Sequence, residues 1–346
     1  MLSGAMRYVE GPTGKQISRI GLGTWQFGSR EWGYGHDYDQ REAAAIVGRA
    51  LELGVTLFDT AEIYGFGRSE RILGRALRRA DADLDRLVVA SKVFPVVPTA
   101  PVVEQRAVGS ASRLGLRHID LYQVHQSNPV VKDPTTMRGM QALLDVGLIG
   151  AVGVSNYSLD RWKAADRALS EAYSHSELVS GNAPVVLSNQ VQYSLVHRDP
   201  ESDLLPFAAS EGRLVIAYSP LAQGLLSGRY GPGDRLSGVR AANPHFLPDN
   251  LAASAPLLDT LRDIAASHQV KPAQVALAWT LRHPAVVAIP GASSVSQLES
   301  NVEAADLDLG NDELRSLTEA SNRYRPITGL ATVPHQIRRM RDARRG

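Results

Sequence analysis

The stretch of sequence that decides the fold is residues 57–65, which read LFDTAEIYG. Leu57 and Phe58 are apolar residues that favour a strand, so the stretch begins as a buried strand. The chain turns polar at Asp59 and then ends in a turn that starts at Tyr64. A strand that carries an acid and a tyrosine at its carboxyl end is typical of the rim of an active site.

Strands and helices alternate on both sides of this stretch. Besides the strand that opens it, the predicted strands are residues 17–26, 87–92, 119–125, 149–156, 185–190, 214–218 and 286–290. The predicted helices are residues 40–53, with Asp39 as cap, 69–79, 101–114, 134–146, a helix from about 159, 204–210, 256–267, 272–282 and 296–304. Such alternation indicates βαβ units around a parallel sheet.

Eight such units in 346 residues favour a closed (β/α)8 barrel, with one domain over residues 1–346. The alternative is a doubly wound sheet, which usually has a G-x-G-x-x-G turn after its first strand. Here Gly21-Leu22-Gly23 lacks the third glycine. The sequence therefore predicts a barrel without a separate dinucleotide-binding domain.

Four segments lie outside this alternation. Residues 221–250 are rich in glycine and proline and are predicted to be a functional or disordered loop. Residues 312–321 are predicted to form an extra helix outside the barrel, and residues 172–181 a surface insertion. Residues 325–346 are predicted to be a C-terminal loop and tail, whose basic cluster at 338–345 is expected to be solvated.

Composition narrows the functional classes. The 37 basic and 36 acidic residues leave a net charge of +1, which argues against nucleic-acid or membrane partners. The chain contains no cysteine, so disulfides, cysteine-bound zinc and thiol nucleophiles are excluded. No signal peptide and no uncharged run long enough to span a bilayer is recognisable, and a cytoplasmic protein is expected.

Four chemically active side chains are predicted at three neighbouring strand ends. Asp59 and Tyr64 follow the second strand, Lys92 lies on the third, and His125 ends the fourth. Barrel active sites lie at the carboxyl ends of strands, so these side chains are expected to meet. Each alone has an ordinary structural interpretation: a turn cap, a rim residue, an ion-pair partner or a core histidine. Their joint placement favours catalysis.

The chemistry of these four groups suits proton transfer to a carbonyl oxygen. A free tyrosine titrates near pH ~10, and a lysine ammonium beside Tyr64 is expected to lower that pKa. Asp59 would pair with Lys92 and hold it in place. His125 could donate a hydrogen bond to a substrate oxygen that becomes negative. The set could then protonate the oxygen while a nucleophile adds to the carbon.

Over nearly its whole length the chain resembles the aldo-keto reductases, in the branch that includes potassium-channel β-subunits and microbial reductases. The segments that carry the resemblance are GLGTW (21–25), FDTAEIYG (58–65), ASK (90–92), DLYQVH (120–125), GVSN (153–156), AYSPLAQGLLSG (217–228) and IPGASS (289–294). The resemblance implies a barrel that binds NADP(H) across its mouth and transfers hydride to an aldehyde or ketone. Tyr64 would be the acid, tuned by Lys92 and Asp59, and His125 would orient the carbonyl.

The resemblance also implies which residues hold the cofactor. The nicotinamide end would meet Thr24, Trp25, Asp59, Ser155, Asn156, Gln190 and Tyr218. The pyrophosphate would meet Ser219, Pro220, Leu221, Gly224, Ser227, Arg229 and Arg240, of which the two arginines could instead be solvated loop charges. The adenosine end would meet Gly291, Ser293, Gln297 and Asn301, near a helix start where free N–H groups favour anions.

Two positions depart from the family pattern. Many members place Arg or Lys at or beside Ser293 to bind the 2′-phosphate, but here Ser293 and Ser294 are uncharged, which leaves NAD(H) possible. Ser293 could also be an ordinary helix cap. The family often has Glu immediately before Asn301, whereas this chain has Ser300 there and Glu299 one place earlier.

Aromatic residues are predicted to form the substrate wall. Trp25, Trp32, Tyr34 and Phe94 follow the first and third strands and would line the pocket with His125, although Trp32 and Tyr34 could instead pack the loop. No metal ligand set is predicted. Two alternatives to a reductase stay open: a sensor whose NADP(H) occupancy regulates a partner, and a lyase that uses Lys92 as a Schiff base.

Overall fold

The computed structural model describes residues 6–29, 32–35, 39–176, 183–234, 236 and 238–332. Its strands are β1 (Tyr8–Glu10), β2 (Gln16–Ser18), β3 (Leu22–Gly23), β4 (Leu57–Asp59), β5 (Val88–Val93), β6 (Ile119–Val124), β7 (Ile149–Ser155), β8 (Val186–Gln192), β9 (Leu214–Tyr218) and β10 (Val286–Ala288). Its helices are α1 (Gln40–Glu52), α2 (Arg68–Arg79), α3 (Ala100–Leu114), α4 (Asp133–Asp145), α5 (Leu159–Ser174), α6 (Leu204–Ser210), α7 (Gly238–Ala242), α8 (Pro248–Ala253), α9 (Ala255–Ser267), α10 (Pro272–Thr280), α11 (Val295–Glu303) and α12 (Asn311–Arg323).

Strands β3 to β10 form one parallel sheet in sequence order. The sheet closes on itself, because the Gly21 amide donates to the Ala288 carbonyl at 2.8 Å and the Ala288 amide donates to the Arg19 carbonyl at 2.9 Å. A third bond joins the Gly23 amide to the Pro290 carbonyl at 3.3 Å. This closure confirms the predicted (β/α)8 barrel.

The prediction of one strand over residues 17–26 is wrong. Residues 16–18 form β2, which pairs antiparallel with β1, a strand that was not predicted. The Ser18 hydroxyl donates to the Ile20 carbonyl at 2.7 Å, and the Ser18 amide donates to the Thr56 hydroxyl at 2.8 Å. These side-chain bonds interrupt the strand between the small hairpin and the barrel.

The predicted helices lie within about two residues of their predicted bounds, whereas α7 and α8 are not predicted. Asp39 caps α1 as expected, since its carboxylate accepts the amides of Arg41 at 2.7 Å and Glu42 at 3.3 Å. No helix in the part of the chain that the structure describes is long and apolar enough to cross a membrane.

The segment 221–250, predicted to be a functional or disordered loop, has structure of its own. It contains a 3₁₀ turn at Ala222–Ser227, the short helix α7 and the start of α8. The buried Asn250 side chain fixes it, because its amide donates to the Ile327 carbonyl at 2.9 Å and its oxygen accepts the Ile327 amide at 2.8 Å.

Two other predicted segments are only partly described. The segment 172–181 was predicted to be a surface insertion, but α5 continues to Ser174 and residues 177–182 lie outside the described residues. The basic cluster at 338–345 also lies outside the described part of the chain.

Two apolar cores explain why the polar site lies at one end of the barrel. One core fills the space between sheet and helices. The other fills the barrel itself and includes Leu57, Ala90 and Leu121. Because side chains alternate along a strand, the residue two positions further on faces the interior as well. On these three strands the residues in that next layer are Asp59, Lys92 and Gln123.

Close packing of α2 on α3 gives a testable prediction. A Cβ atom on Gly74 would come within 1.9 Å of the Leu114 carbonyl oxygen. Two backbones cannot yield locally, so Gly74→Ala is expected to lower the free energy of unfolding by about 1–3 kcal/mol. Urea denaturation followed by circular dichroism measures this change.

Gly48→Ala in α1 is the matched control. Outside its own helix, no described atom lies within 4 Å of the Cβ position of Gly48. Alanine there is expected to be neutral or to stabilise by up to about 1 kcal/mol. Equal destabilisation by both substitutions would contradict the close contact at Gly74.

Candidate active site

A buried ion pair lies at the centre of the barrel mouth. The Lys92 ammonium is 2.5 Å from Asp59 Oδ1, and the two side chains are 0% and 2% exposed. The ammonium also donates to the Thr60 carbonyl at 2.8 Å and lies 3.4 Å from the Tyr64 hydroxyl. The structure therefore brings three of the four predicted catalytic residues into one contact group.

Two glutamines complete the surroundings of Asp59. Its Oδ2 accepts the side-chain amides of Gln190 at 2.8 Å and Gln123 at 3.3 Å. Gln190 is predicted to contact the cofactor, and in the structure its amide binds the Asp59 carboxylate. Gln123 was not predicted as a site residue, although its position two places after the interior Leu121 is a signal that could have found it.

Tyr64 is a protonated phenol in this site. Burial raises the pKa of Tyr64 well above its usual range, and the Asp59 carboxylate raises it further. The expectation that Lys92 lowers this pKa is therefore wrong for the protein as described. The reason is that Asp59 offsets the ammonium: the pair has no net charge, and burial then dominates.

His125, a neutral imidazole, completes the tetrad of Asp59, Lys92, Tyr64 and His125. Its ring lies edge-on to Tyr64, with 5.6 Å between centroids. Burial, assisted by the Lys92 charge, lowers the pKa of His125 to about 3. Its Nδ1 is buried and has no hydrogen-bond partner among the described residues. A neutral ring can donate one N–H to an oxygen in front of Tyr64.

Aromatic rings surround these groups. The Trp25 ring lies 6.2 Å from Tyr64 and 5.2 Å from Trp32, and the Phe94 ring lies 5.8 Å from His125. Tyr34 follows in the loop of Trp32, where its amide donates to the Ser29 carbonyl at 3.3 Å. The predicted substrate residues Trp25, Trp32 and Phe94 thus lie around the tetrad, while their role as a substrate wall stays a prediction.

A second polar group adjoins the tetrad at the ends of β7, β8 and β9. The Ser155 hydroxyl donates to the Gln190 carbonyl at 2.8 Å, and the Tyr218 hydroxyl donates to the Asn156 side-chain oxygen at 3.0 Å. The Asn156 amide in turn donates to the His125 carbonyl at 3.3 Å. These predicted nicotinamide residues are therefore linked to one another and to the tetrad.

Thr24 is placed differently from its neighbours. It is fully buried, and its hydroxyl lies 3.0 Å from the Asp59 carbonyl and 2.8 Å from the Ser69 hydroxyl. These bonds use the hydroxyl inside the protein. Thr24 supports the strand end that carries Asp59, and contact with a cofactor stays a prediction for it.

The turn after β9 has an unusual backbone. Ser219, Ala222, Gln223 and Gly224 all have left-handed conformations, with φ of 49°, 47°, 57° and 99°. Backbone N–H groups in such turns form concave sites for anions. Of the predicted pyrophosphate residues, Ser219 and Gly224 belong to this series, and Pro220 and Leu221 lie between them.

The remaining predicted pyrophosphate residues pack around that turn. The Ser227 hydroxyl donates to the Gly224 carbonyl at 2.6 Å, and Arg240 Nε donates to the Gln223 carbonyl at 2.9 Å. The Arg240 guanidinium also lies 5.3 Å from the Trp32 ring. Arg229 lies 5.7 Å from the Tyr230 ring, which Arg240 also contacts. Arg240 thus joins the turn to the aromatic wall.

The predicted adenosine residues meet at the start of α11. Gln297 Oε1 accepts both the amide and the hydroxyl of Ser293, each at 3.0 Å, and the Asn301 amide donates to the Gly291 carbonyl at 3.3 Å. The helix cap is Ser294, whose hydroxyl accepts the Gln297 amide at 3.2 Å, so the alternative that Ser293 is the cap is wrong.

Glu299 points to a different part of the molecule. Its carboxylate is bound by Arg49 of α1 at 2.8 Å. The displaced glutamate of the family pattern is therefore occupied by a contact between helices. The described residues contain no group of three or more His, Asp or Glu side chains able to hold a metal ion.

Fold and site together define an α/β barrel whose mouth holds Asp59, Lys92, Tyr64 and His125 in one contact group. Residues 19–322 match the model of the aldo/keto reductase family, and the chain belongs to that family. It is an oxidoreductase by this membership.

Three similar proteins represent the relatives. An uncharacterized oxidoreductase of Mycobacterium tuberculosis is 58% identical over 93% of this chain and 95% of its own. The NADH-specific methylglyoxal reductase of Escherichia coli is 30% identical, and the match covers 90% of this chain and 98% of that protein. A solved structure similar to this one is the crystal structure of an aldo-keto reductase from Klebsiella pneumoniae in complex with NADPH. Its sequence is 27% identical, the TM-score is 0.71, and the match covers 92% of this chain and 95% of that chain.

The low pKa of His125 predicts a specific acid sensitivity. In the unfolded chain this imidazole binds a proton below about pH 6.5, but in the folded protein it stays neutral down to about pH 3. The unfolded state therefore binds more protons within this window, and stability falls as the pH is lowered through it. The slope is at most about 1.4 kcal/mol per pH unit.

Urea unfolding between pH 7 and pH 4 checks this expectation. His125→Gln is expected to lose less stability than the wild type as the pH falls. His175→Gln controls for the loss of an exposed imidazole. Parallel pH curves for His125→Gln and the wild type would contradict a buried neutral His125.

Proposed function

We propose that the protein reduces aldehyde or ketone carbonyls to alcohols with NADP(H) as the hydride donor. The observation that carries the proposal is the contact group of Asp59, Lys92, Tyr64 and His125 at the barrel mouth. The nicotinamide would supply a hydride to the carbonyl carbon. The protein would supply the proton and hold the carbonyl oxygen.

Each residue of the group has a distinct part in this reaction. Tyr64 is a protonated phenol in the resting site and donates that proton to the carbonyl oxygen. Lys92 lies 3.4 Å away and stabilises the phenolate left behind. Asp59 and its two glutamines hold the ammonium in place. The neutral His125 ring donates a hydrogen bond to the same oxygen.

The residues of this chain fit a dinucleotide. The left-handed turn after β9 would lie against the pyrophosphate, with Arg229 and Arg240 close by. Ser155, Asn156 and Tyr218 would bind the nicotinamide, and Ser293 with Gln297 the adenosine end. The complex of the Klebsiella relative with NADPH supports NADP(H) as the cofactor. The Escherichia coli relative is named as NADH-specific, so NAD(H) is the alternative cofactor to be tested.

The surroundings of Lys92 favour a reductase over a Schiff-base lyase. Its ammonium is fully buried and faces three oxygens of the protein itself, from Asp59, Thr60 and Tyr64. A Schiff base would require this nitrogen to leave the carboxylate and attack a substrate carbon. Solvent reaches the site at its aromatic rim, where Trp25 is 37% exposed, and not at Lys92, which is fully buried.

Removal of the phenolic hydroxyl is the principal test. Tyr64→Phe is expected to lower the rate of carbonyl-dependent NADPH oxidation by about 10²- to 10⁴-fold, because the general acid is lost. Absorbance at the reduced nicotinamide band measures the rate, and fluorescence titration measures NADPH affinity, which should be unchanged. Tyr122→Phe controls for loss of a buried tyrosine hydroxyl elsewhere on the barrel. Equal rates in Tyr64→Phe and wild type would overturn the role.

Cofactor choice gives a second test. Ser293→Arg places a guanidinium beside the predicted 2′-phosphate position and is expected to tighten NADPH binding about tenfold. NADH lacks that phosphate, so its affinity should stay the same. Parallel titrations with both cofactors measure the effect, with the exposed Ser267→Arg as a control for added charge. An equal gain for both cofactors would contradict the placement of Ser293.

A further inference from the structure

A half-buried glutamate, Glu62, lies two residues before Tyr64 and is attached to the neighbouring strand. The backbone amide of Glu62 donates to the Lys92 carbonyl at 3.4 Å, and the Tyr64 amide donates to the Ala61 carbonyl at 3.1 Å. The turn that presents the Tyr64 phenol therefore starts from a residue fixed to the end of β5. The tetrad chemistry does not use the Glu62 side chain.

That side chain closes a ring of hydrogen bonds around Phe94. The Phe94 amide donates to Glu62 Oε1 at 2.5 Å. Arg106 of α3 donates through Nε to Glu62 Oε2 at 3.0 Å and through Nη1 to the Phe94 carbonyl at 2.7 Å. Both backbone polar groups of Phe94 are thus bound by one Glu–Arg pair, which fixes the backbone that carries the Phe94 ring.

The pair is held in low-solvent surroundings. The Glu62 side chain is 9% exposed and that of Arg106 is 29% exposed. Burial raises the pKa of Glu62, and the Phe94 amide and the Arg106 guanidinium oppose this rise. Loss of the charge on either partner would leave the other poorly solvated and free to shift.

A second arginine of α3 fixes the far end of the same turn. Arg113 lies seven residues after Arg106 and therefore on the same face of the helix. Its Nε is 2.5 Å from Glu70 Oε2 in α2. The arginine side chain passes directly over Gly67, where a Cβ atom would lie 2.6 Å from Arg113 Cδ. Helix α3 thus holds the Tyr64 turn at both ends.

We propose that Glu62 and Arg106 are positioning residues that set the Tyr64 phenol and the Phe94 ring relative to each other across the carbonyl site. This inference rests on the proposed reductase function. One carboxylate fixes both the turn of the acid and the backbone of the wall. Loosening it should therefore change turnover and the selection of substrate together.

Two variants test the pair. Glu62→Gln keeps an acceptor for the Phe94 amide but removes the charge that Arg106 binds. Arg106→Lys keeps a positive charge but cannot bind Glu62 and the Phe94 carbonyl together, because it lacks the guanidinium fork. Each is expected to lower kcat about ten- to a hundredfold by misplacing the acid. The KM for benzaldehyde should rise more than that for propionaldehyde, because the bulkier ring needs the Phe94 wall.

Asp166→Asn is the matched control. Asp166 accepts the amide of Val186 at 2.7 Å and pairs with Arg213 at 3.1 Å, so its carboxylate has the same kinds of partner as Glu62. It lies in α5 and binds the opposite, amino-terminal ends of the strands. Asp166→Asn should keep the wild-type kcat and the wild-type ratio of the KM for benzaldehyde to the KM for propionaldehyde. All variants should keep the NADPH affinity of the wild type.

The outcomes separate this inference from the proposed function. Wild-type kinetics in Arg106→Lys would show that charge alone suffices, and an equal loss in Asp166→Asn would show a general effect of stability; either overturns the positioning role. If Glu62→Gln does not fold, Arg106→Lys carries the same prediction. A crystal structure of the variant gives a readout without turnover: the Tyr64 hydroxyl should move from its 3.4 Å distance to Lys92. An unmoved hydroxyl would overturn the inference even if the protein reduced no carbonyl.

Discussion

The buried pair of Asp59 and Lys92 is the interaction on which the site depends. Two charges that are 2% and 0% exposed lose their hydration, and their attraction compensates only if the remaining polar atoms are also bound. Here Gln123 and Gln190 bind the second carboxylate oxygen, and the Thr60 carbonyl accepts from the ammonium. Removing one partner of such a pair typically costs about 3–5 kcal/mol. The contacts join four strands, because Asp59 lies in β4, Lys92 in β5, Gln123 in β6 and Gln190 in β8.

Strand parity explains why this pair can exist at the end of an apolar barrel. Leu57 and Leu121 belong to the interior core, and Asp59 and Gln123 follow them on the same face. Two residues further along each strand, the barrel interior changes from a layer of packed apolar side chains to a layer of hydrogen-bonded polar ones. The polar layer lies at the carboxyl ends, where the loops provide the remaining groups.

Much of this arrangement could be predicted from the sequence, because it follows from residues at strand ends. The alternation of strands and helices gave the barrel, and Asp59, Tyr64, Lys92 and His125 fell at neighbouring ends. The predicted first strand is too long, because a contact between the Ser18 amide and the Thr56 hydroxyl interrupts it. A contact of this kind leaves no periodic pattern in the sequence from which it could be predicted.

The contacts of side chains with residues far away in the sequence could not be predicted. The bond from Gln190 to Asp59 joins residues 131 positions apart, and the ring around Phe94 needs an arginine on a helix and a glutamate in a turn. Sequence spacing fixes which face a residue occupies, but not which of several polar neighbours its side chain selects. Family membership narrowed the chemistry, whereas the geometry shows how the charges are shared.

The raised pKa of Tyr64 bears on the proposed reaction. The Lys92 ammonium alone would lower the pKa of Tyr64. The Asp59 carboxylate beside it cancels that charge, and burial then raises the pKa. The resting site then contains a neutral phenol, a neutral imidazole and a neutral pair. In the proposed reaction, a hydride reaching the carbonyl carbon makes the oxygen basic, and the phenol gives up its proton at that moment. The ammonium 3.4 Å away then faces a new phenolate. A site of zero net charge can therefore respond to charge that develops during the reaction, because its dipoles are already in place.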